Sequence, residues 1–231
     1  MMSCLTLLFL ILVALAYWLV VTTEGTYLGT RAVVRLYDWT ARHYNRIKKF
    51  GFVDEARFVG LPLARMIEDM PGARHLDVAT GTGRALLALA AAGDLDATLV
   101  GVDHSRGMLR EAQRDLMDGE HSQGERIQLI QGDAHDLMFA DATFDAVSCL
   151  EALEFMRDTP QVVREMARVL KPGGVLLVSN RVGLEAWFLP GRHCGRGRME
   201  ALLAREGLAE INTHRWQVDY DLIWAIKPYA Q

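Results

Sequence analysis

From Arg74 onward the chain alternates short apolar segments with helical patterns, and this alternation restricts the fold more than any other feature of the sequence. Five strands are predicted first, followed by two more near the C-terminus: His75–Ala79, Ala97–Val102, Arg126–Gln131, Phe144–Leu150, Val175–Asn180, Leu208–Arg215 and Asp221–Lys227. Strands this apolar need cover on both faces. The pattern therefore predicts an α/β fold with a doubly wound parallel sheet.

Capping residues indicate where the helices between these strands begin and end. The predicted helices are Arg84–Ala92, a helix capped by Ser105 that ends near Met117, a helix with Thr159 as N-cap and Pro160 as its first residue, and Met199–Glu206. Lys171–Gly174 is expected to end the third of them.

The N-terminus carries an apolar segment, Cys4–Val21, in which Thr6 is the only strongly polar side chain. An α-helix of this length is about 27 Å long, close to the roughly 30 Å hydrocarbon core of a bilayer. Tyr17 and Trp18 lie near its C-terminal end, where amphipathic rings favour the membrane interface. A cleaved signal peptide is the competing interpretation, but no basic residue precedes the segment. We expect a single transmembrane helix that anchors the chain.

Charge is distributed unevenly along the chain. Residues 24–60 hold seven Lys and Arg against four acids, whereas residues 61–231 hold 18 basic and 25 acidic residues. The positive-inside rule then places the body on the cytoplasmic side of a membrane. An acidic body argues against nucleic acid as a ligand. The three cysteines lie far apart, which predicts a reducing compartment and neither disulfides nor a metal site.

The predicted organisation has three parts: an anchor over residues 1–23, a linker with N-terminal helices over 24–73, and a domain over 74–231. Within the second part, Leu36–Phe50 has apolar residues at helical spacing and basic residues elsewhere around the turn. Two interpretations stay open. This helix either lies on an anionic membrane surface or packs on the domain with a solvated basic face.

Glycines and acids follow the predicted strands in register. The first loop, Asp77–Gly83 (DVATGTG), contains two glycines that permit a tight turn and close approach of a ligand to the backbone. A dinucleotide fingerprint would have a third glycine where Leu86 stands. Asp103 ends the second strand, where a carboxylate can accept both hydroxyls of a ribose, and Asp133 follows the third, in reach of an adenine amino group.

Four segments of this chain resemble the class I S-adenosylmethionine-dependent methyltransferases, and among them the type 11 and ubiquinone/menaquinone-biosynthesis enzymes. They are HLDVATGTG (75–83), LVGVDHSRGML (99–109), IQGDAHDLMFADATFDAVSCLEAL (130–153) and VVREMARVLKPGGVLLVSN (162–180). The resemblance implies a Rossmann-like seven-stranded sheet whose last strand is antiparallel, and S-adenosylmethionine as cofactor. Upstream, YDWTARHYNRIKKF resembles the tyrosine-bearing helix that precedes the fold in the quinone enzymes.

The resemblance also implies roles for individual residues. It places Asp77, Ala79, Gly81 and Gly83 around the methionine end of the cofactor and Asp103 at the ribose. It has His104 and Met108 flank the adenine, Asp133 and Ala134 meet the adenine edge, and Cys149 lie near the methyl group. Ala79 departs from the family pattern, which has glycine there.

The acceptor side is less defined by the sequence. The candidates are Tyr44, Glu151, Glu154, His135, His193 and His214, none of which can be assigned a catalytic role. Residues 181–198 form a long, glycine-rich connection that sets Trp187, Phe188 and Leu189 beside Arg192 and two further arginines. This loop either covers an apolar substrate or contacts a membrane interface, or else packs its aromatic residues on its own domain.

These observations predict a membrane-anchored methyltransferase for a lipophilic acceptor such as a quinone precursor, a lipid headgroup or an apolar small molecule. Two alternatives stay open: a methyltransferase for a soluble small molecule or protein side chain, and a non-catalytic subunit of a membrane complex that keeps the fold.

Overall fold

The structure, a computed structural model, describes residues 4–48, 55–93, 95–117 and 126–229. The strands are β1 Ala73–Val78, β2 Ala97–Asp103, β3 Ile127–Gln131, β4 Phe144–Cys149, β5 Leu170–Arg181, β6 Ala209–Arg215 and β7 Tyr220–Ile226. The α-helices are α1 Cys4–Tyr17, α2 Thr30–Lys48, α3 Leu61–Ile67, α4 Arg84–Ala90, α5 Arg106–Met117, α6 Thr159–Val169 and α7 Arg198–Arg205.

The seven strands form one sheet in the order β3-β2-β1-β4-β5-β7-β6. The first five strands pair in parallel, and β7 is antiparallel to both of its neighbours, β5 and β6. The central strands are buried along nearly their whole length, as a sheet covered on both faces requires. The predicted fold, including the antiparallel last strand, is confirmed. Strand order reverses between β1 and β4, which places a ligand site at the C-terminal ends of these strands.

Two capping predictions have different outcomes. Ser105 does cap α5, because its Oγ accepts a hydrogen bond from the Met108 N–H at 3.1 Å. The prediction that Thr159 caps α6 is wrong. Asp158 is the N-cap and accepts from the Gln161 N–H at 3.1 Å, while the Thr159 hydroxyl donates to the Leu153 carbonyl. A carboxylate one residue earlier competes successfully for the same free backbone donors.

The N-terminal apolar segment is a helix that the described remainder of the protein leaves largely exposed. Cys4–Thr22 spans 19 residues with a mean hydropathy of 2.8 and has none of its apolar window buried. By length and composition it can cross a membrane. A short turn, Thr26–Leu28, then leads into α2.

Helix α2 packs on α5, with Ala41 buried and Arg31, Arg35, Trp39 and Arg42 exposed. Asp38 fixes this contact, because its Oδ1 accepts from the Ser105 hydroxyl at 2.6 Å and the Gly107 N–H at 2.7 Å. The helix thus begins before the predicted Leu36, and the end of the predicted segment, residues 49–50, lies outside the described residues. The exposed basic face favours neither interpretation of this helix over the other.

The residues before β1 are an integral layer of the fold. The turn Ala56–Gly60 and α3 lie against α4, and Leu63 and Ile67 are buried in the same apolar cluster as Leu86. This layer supports the helix that follows the first strand-end loop.

Candidate functional site

The loops after β1, β2, β3 and β4 form one wall of a deep cleft, and α2 forms the opposite wall. The cleft holds about 1170 Å³ of empty space, counting the solvent at its mouth. Acids and backbone groups line the side of the sheet, and Val33, Val34, Phe155 and Met156 add an apolar part.

Asp103 joins the first two strand-end loops. Its Oδ2 accepts from the Gly81 N–H at 2.8 Å and its Oδ1 accepts from the Ser105 N–H at 2.8 Å. Burial raises the pKa of Asp103, although these backbone donors oppose that effect. Each carboxylate oxygen keeps a second lone pair, so the group can still accept hydrogen bonds from two hydroxyls of a ligand.

Beneath the cleft, Asp77 ends a buried chain of three polar side chains. The Ser148 hydroxyl donates to Asp77 Oδ1 at 2.6 Å, and His75 Nε2 lies 3.0 Å from Ser148 Oγ. Because the hydroxyl hydrogen points to Asp77, His75 must donate from Nε2. Burial lowers the pKa of His75 to about 3, which keeps the ring neutral. Burial raises the pKa of Asp77 to about 6, despite the Ser148 hydrogen bond.

The first loop adopts the backbone that its glycines predict. Gly81 and Gly83 have φ of 56° and 78°, and Ala79 takes the same left-handed region with φ of 56°. An alanine pays a steric cost there that glycine would not. Gly83 does not line the cleft. A Cβ at this position would lie 2.6 Å from Leu116 Cδ1, so Gly83 allows α4 and α5 to pack closely.

Asp133 is held by the residue two positions later. Its Oδ1 accepts from the His135 N–H at 2.9 Å and from the His135 ring Nδ1 at 2.7 Å. The ring nitrogen Nε2 accepts from the Asp158 N–H at 3.3 Å, which assigns the hydrogen to Nδ1. Burial works to raise the pKa of Asp133, but the donors from His135 outweigh it and the pKa is lowered. Asp133 is therefore an ionised acceptor at the rim of the cleft.

The structure brings most of the predicted site residues into this one cleft. Lining it are Asp77, Ala79, Gly81, Asp103, His104, Met108, Asp133 and Ala134 from the cofactor set, and Tyr44 and Glu151 from the acceptor set. Cys149 does not line the cleft, because its side chain is fully buried in the apolar core. Trp187 and Arg192 lie on the loop that follows β5, outside the cleft lining.

Sequence reasoning included Tyr44 and Glu154 among the acceptor-side candidates but missed Tyr37 and the glutamate that it contacts. Tyr37 lines the cleft, and its hydroxyl donates to Glu24 Oε2. Behind this wall the Tyr220 hydroxyl donates to Glu154 Oε1, and burial raises the pKa of Glu154 to about 7. Glu24 precedes a turn and Tyr37 lies on α2, so only the folded geometry brings them together. The one sequence feature that could have identified Tyr37 is that it lies on the same helix as the candidate Tyr44.

Glu151 lies at the C-terminal end of β4 with φ of 51°, a conformation uncommon for a residue other than glycine. Two contacts hold it there. Its N–H donates to Ser179 Oγ at 2.6 Å, and its Oε1 accepts from Gln217 Nε2 at 3.1 Å. Strained residues of this kind concentrate at ligand sites.

The end of the apolar helix is fastened to the loop after β5. Trp18 stacks on Tyr27 with ring centroids 5.2 Å apart, and Trp18 Nε1 donates to the Phe188 carbonyl at 3.1 Å. The Tyr27 hydroxyl donates to the Pro190 carbonyl at 2.6 Å. Arg192 Nη2 donates to the Thr26 carbonyl at 3.1 Å.

The same loop leaves an apolar tip uncovered. Leu184, Trp187 and Phe188 are 81%, 83% and 51% exposed. Together with the contacts to Trp18 and Tyr27, this places apolar side chains beside the end of the apolar helix. Trp187 therefore does not pack on its own domain, as the third interpretation of the loop would have it, whereas Leu189 of the same segment is buried.

Comparison with known proteins identifies the domain. Residues 76–178 match the family described as a methyltransferase domain. Two curated relatives are demethylmenaquinone methyltransferases. The one from Bacillus subtilis is 39% identical over 110 residues, 48% of this chain and 46% of its own length. The one from Clavibacter sepedonicus is 33% identical over 146 residues, 63% of this chain and 56% of its own length. This chain thus spans about half the length of the curated relatives it matches.

Solved structures share the fold. A putative methyltransferase of Haloferax volcanii, solved with its Trm112 activator, superposes with a TM-score of 0.67 at 21% identity over 84% of this chain and 98% of that one. Phosphoethanolamine N-methyltransferase 2 of Haemonchus contortus, solved with S-adenosyl-L-methionine, has a TM-score of 0.59 at 18% identity over 72% of this chain and 51% of that one.

Proposed function

Because the chain belongs to the class I S-adenosylmethionine-dependent methyltransferases through the domain of residues 76–178, we propose that it transfers a methyl group from S-adenosylmethionine to a lipophilic, membrane-associated acceptor. The domain matches confirm the predicted family and cofactor. The single observation that carries the proposal is the meeting of Asp77, Asp103 and Asp133 in one cleft at the switch in strand order.

The three acids suit three parts of this cofactor. Asp103 would accept the ribose hydroxyls, and the two backbone N–H groups that orient its oxygens support this role. Asp77 suits the cationic amino group of the methionine end, because a nearby positive charge favours its ionised form. Asp133, ionised at the rim, suits the amino edge of the adenine.

The reaction requires mainly positioning from the protein. Bound S-adenosylmethionine supplies a methyl group on a sulfonium, with the uncharged thioether as leaving group. The chain holds the acceptor in line with that methyl group and excludes water, which together can lower the barrier substantially. The apolar part of the cleft around Val33, Phe155 and Met156 would hold an apolar acceptor, and Tyr37 with Glu24 would accept its proton.

Three features support a membrane-associated acceptor. The Cys4–Thr22 helix is long enough to span a bilayer. The exposed apolar tip at Leu184, Trp187 and Phe188 lies beside the end of that helix, where a bilayer surface would be. The curated relatives are named for demethylmenaquinone, a lipophilic acceptor. In this arrangement residues 1–23 anchor the chain, residues 74–231 carry out the transfer on the cytoplasmic side, and the tether raises the local acceptor concentration.

Methyl transfer into lipid tests the proposal. The full-length chain would be reconstituted in vesicles made from a total membrane lipid extract and supplied with S-adenosylmethionine labelled in the methyl group. We expect label in the organic phase with the native chain and with Asp69→Ala, an exposed acid outside the cleft, but not with Asp103→Ala. Label only in soluble compounds or protein would contradict the membrane-associated acceptor. No transfer at all, with cofactor bound, would favour a non-catalytic subunit.

A further inference from the structure

A second cavity adjoins the mouth of the cofactor cleft and is lined mainly by cationic or protonatable side chains. They are Arg31, Arg35, Arg157, His104 and His135, with Asp133 as an acid among them. Arg31 and Arg35 project from the first turns of α2, and Arg157 comes from the loop after β4. Two elements far apart in sequence therefore direct guanidinium groups to one place.

These arginines differ from others in the protein. Arg84, Arg168 and Arg196 each form an ion pair with an acid. In the described parts of the chain, the guanidinium groups of Arg31, Arg35 and Arg157 have neither a hydrogen bond nor an ion pair. The one carboxylate in the cavity, Asp133, is already bonded to the His135 ring. The cavity thus has an excess of positive charge that an anion would compensate.

The cofactor does not account for this charge. S-adenosylmethionine carries no phosphate, and the residues suited to hold it are acids and backbone groups on the sheet side of the cleft. Guanidinium groups present paired donors in a fixed plane, which match the oxygens of a phosphate. The chemistry of the cavity is that of a phosphate-binding site.

The position of the cavity indicates where the phosphate comes from. The apolar helix ends at Thr22, and α2, which carries Arg31 and Arg35, begins at Thr30. The Thr26 hydroxyl donates to the Phe155 carbonyl at 3.0 Å, which ties the loop of Arg157 to the segment just after the apolar helix. Arg192 bonds the Met156 carbonyl of the same loop. Arg31 and Arg35 thus follow the end of the apolar helix by nine and 13 residues, near the level of phospholipid headgroups if that helix spans a bilayer.

We propose that Arg31, Arg35 and Arg157 bind the phosphate of an anionic lipid headgroup at the mouth of the cofactor cleft. The assignment to a lipid, as opposed to a free phosphate compound, rests on the proposed membrane anchoring. A headgroup held there orients the cleft toward the bilayer, so that a lipophilic acceptor reaches it without crossing water.

Calorimetric titration of the full-length chain in neutral detergent micelles tests this site. The probes are short-chain phosphatidylglycerol, which is anionic, short-chain phosphatidylcholine, which is zwitterionic, and inorganic phosphate. We expect the anionic lipid to bind at least about tenfold more tightly than either other probe. Arg31→Gln/Arg35→Gln should weaken it about tenfold or more, as expected for the loss of charge-assisted hydrogen bonds. The control Arg215→Gln removes an exposed arginine on β6, remote from the cavity, and should bind like the native chain.

Each other outcome overturns part of the proposal. Equal binding of the two lipids would contradict an anionic headgroup as the ligand, because phosphatidylcholine carries the same phosphate beside a cation. Unchanged binding in the double variant would contradict the assignment of the site to these arginines. Inorganic phosphate binding as tightly as the anionic lipid would contradict the lipid assignment and reassign the site to a soluble phosphate compound. S-adenosylmethionine is titrated into the same samples. If the native chain does not bind it, the proposed function is contradicted, and the result for the anion site is unaffected.

Discussion

The two sides of the cleft are built in different ways. On the cofactor side, loops of adjacent parallel strands meet through short backbone contacts, such as those of Gly81 and Ser105 with Asp103. On the proposed acceptor side, distant segments meet: Thr26 bonds Phe155, 129 residues away, and, outside the cleft lining, Trp18 bonds Phe188, 170 residues away. The sheet alone fixes the first arrangement, whereas the second depends on how flanking segments dock. This difference explains how one fold can keep a cofactor and change its acceptor.

The largest expected effect is a loss of stability in the Gly60→Val variant. It tests whether the residues before the family match support the cofactor side of the cleft. A Cβ at Gly60 would lie 2.2 Å from the Ala88 carbonyl oxygen, and backbone of α4 cannot rotate away as a side chain can. We expect Gly60→Val to lower the free energy of unfolding by about 3 kcal/mol, as overpacking does. Urea denaturation followed by circular dichroism measures it.

Leu61→Val, which alters the next, partly exposed residue, serves as the control and should change stability by less than about 1 kcal/mol. Equal urea midpoints for Gly60→Val and the native chain would show that the layer formed by Ala56–Gly60 and α3 is not needed for stability. The cofactor side would then comprise only the residues that match the family.

A second prediction concerns pH. Burial raises the pKa of Asp77 to about 6, so the carboxyl takes up a proton as pH falls below that value. The cationic end of the cofactor favours the ionised form, and therefore binding should release a proton and weaken on acidification. We expect affinity for S-adenosylmethionine to be nearly constant above pH 7 and to fall by up to about tenfold per pH unit below 6.

Titration calorimetry at several pH values in buffers of different ionisation enthalpy measures both the affinity and the proton release. Ser148→Ala removes a hydrogen bond that stabilises the ionised Asp77, and should move the transition to higher pH. A transition that stays in place in this variant would show that Asp77 is not the titrating group.

The smallest effect on stability is expected on the acceptor side. Trp187 is 83% exposed, so Trp187→Ser should change the free energy of unfolding by less than about 0.5 kcal/mol and leave cofactor affinity unchanged. If the tip contacts lipid as proposed, transfer to a bilayer-embedded acceptor should nevertheless fall, because the variant loses that apolar contact. Tyr229→Ser, 76% exposed near the C-terminus, is the matched control. Equal loss of transfer in both variants would contradict a specific role for the tip.

The sequence predicts the cofactor side well for a physical reason. Glycines and acids at strand ends are local features, and parallel strands bring their C-terminal ends to one edge, so Asp77, Asp103 and Asp133 could be placed together before the fold was known. Cys149 was placed less well, because strand alternation turns its side chain into the core while Ser148 faces Asp77.

The acceptor side resists prediction for the opposite reason. The Tyr37–Glu24 hydrogen bond and the convergence of Arg31 and Arg157 depend on how α2 docks over the strand-end loops. Asp38 determines that docking through Ser105 and Gly107, a contact between residues nearly 70 positions apart. Neither helical periodicity nor local propensity encodes such a contact.

Binding of S-adenosylmethionine to the full-length chain tests the central claim most directly. Calorimetry should give one site per chain with a dissociation constant on the order of micromolar. Asp103→Asn, which retains one carbonyl oxygen as acceptor, should remain folded and bind more weakly. Asp103→Ala should bind about a hundredfold more weakly or not at all, because two charge-assisted hydrogen bonds are lost. Absence of binding by the folded native chain, or equal affinity in both variants and the native chain, would contradict a methyltransferase with this cofactor site.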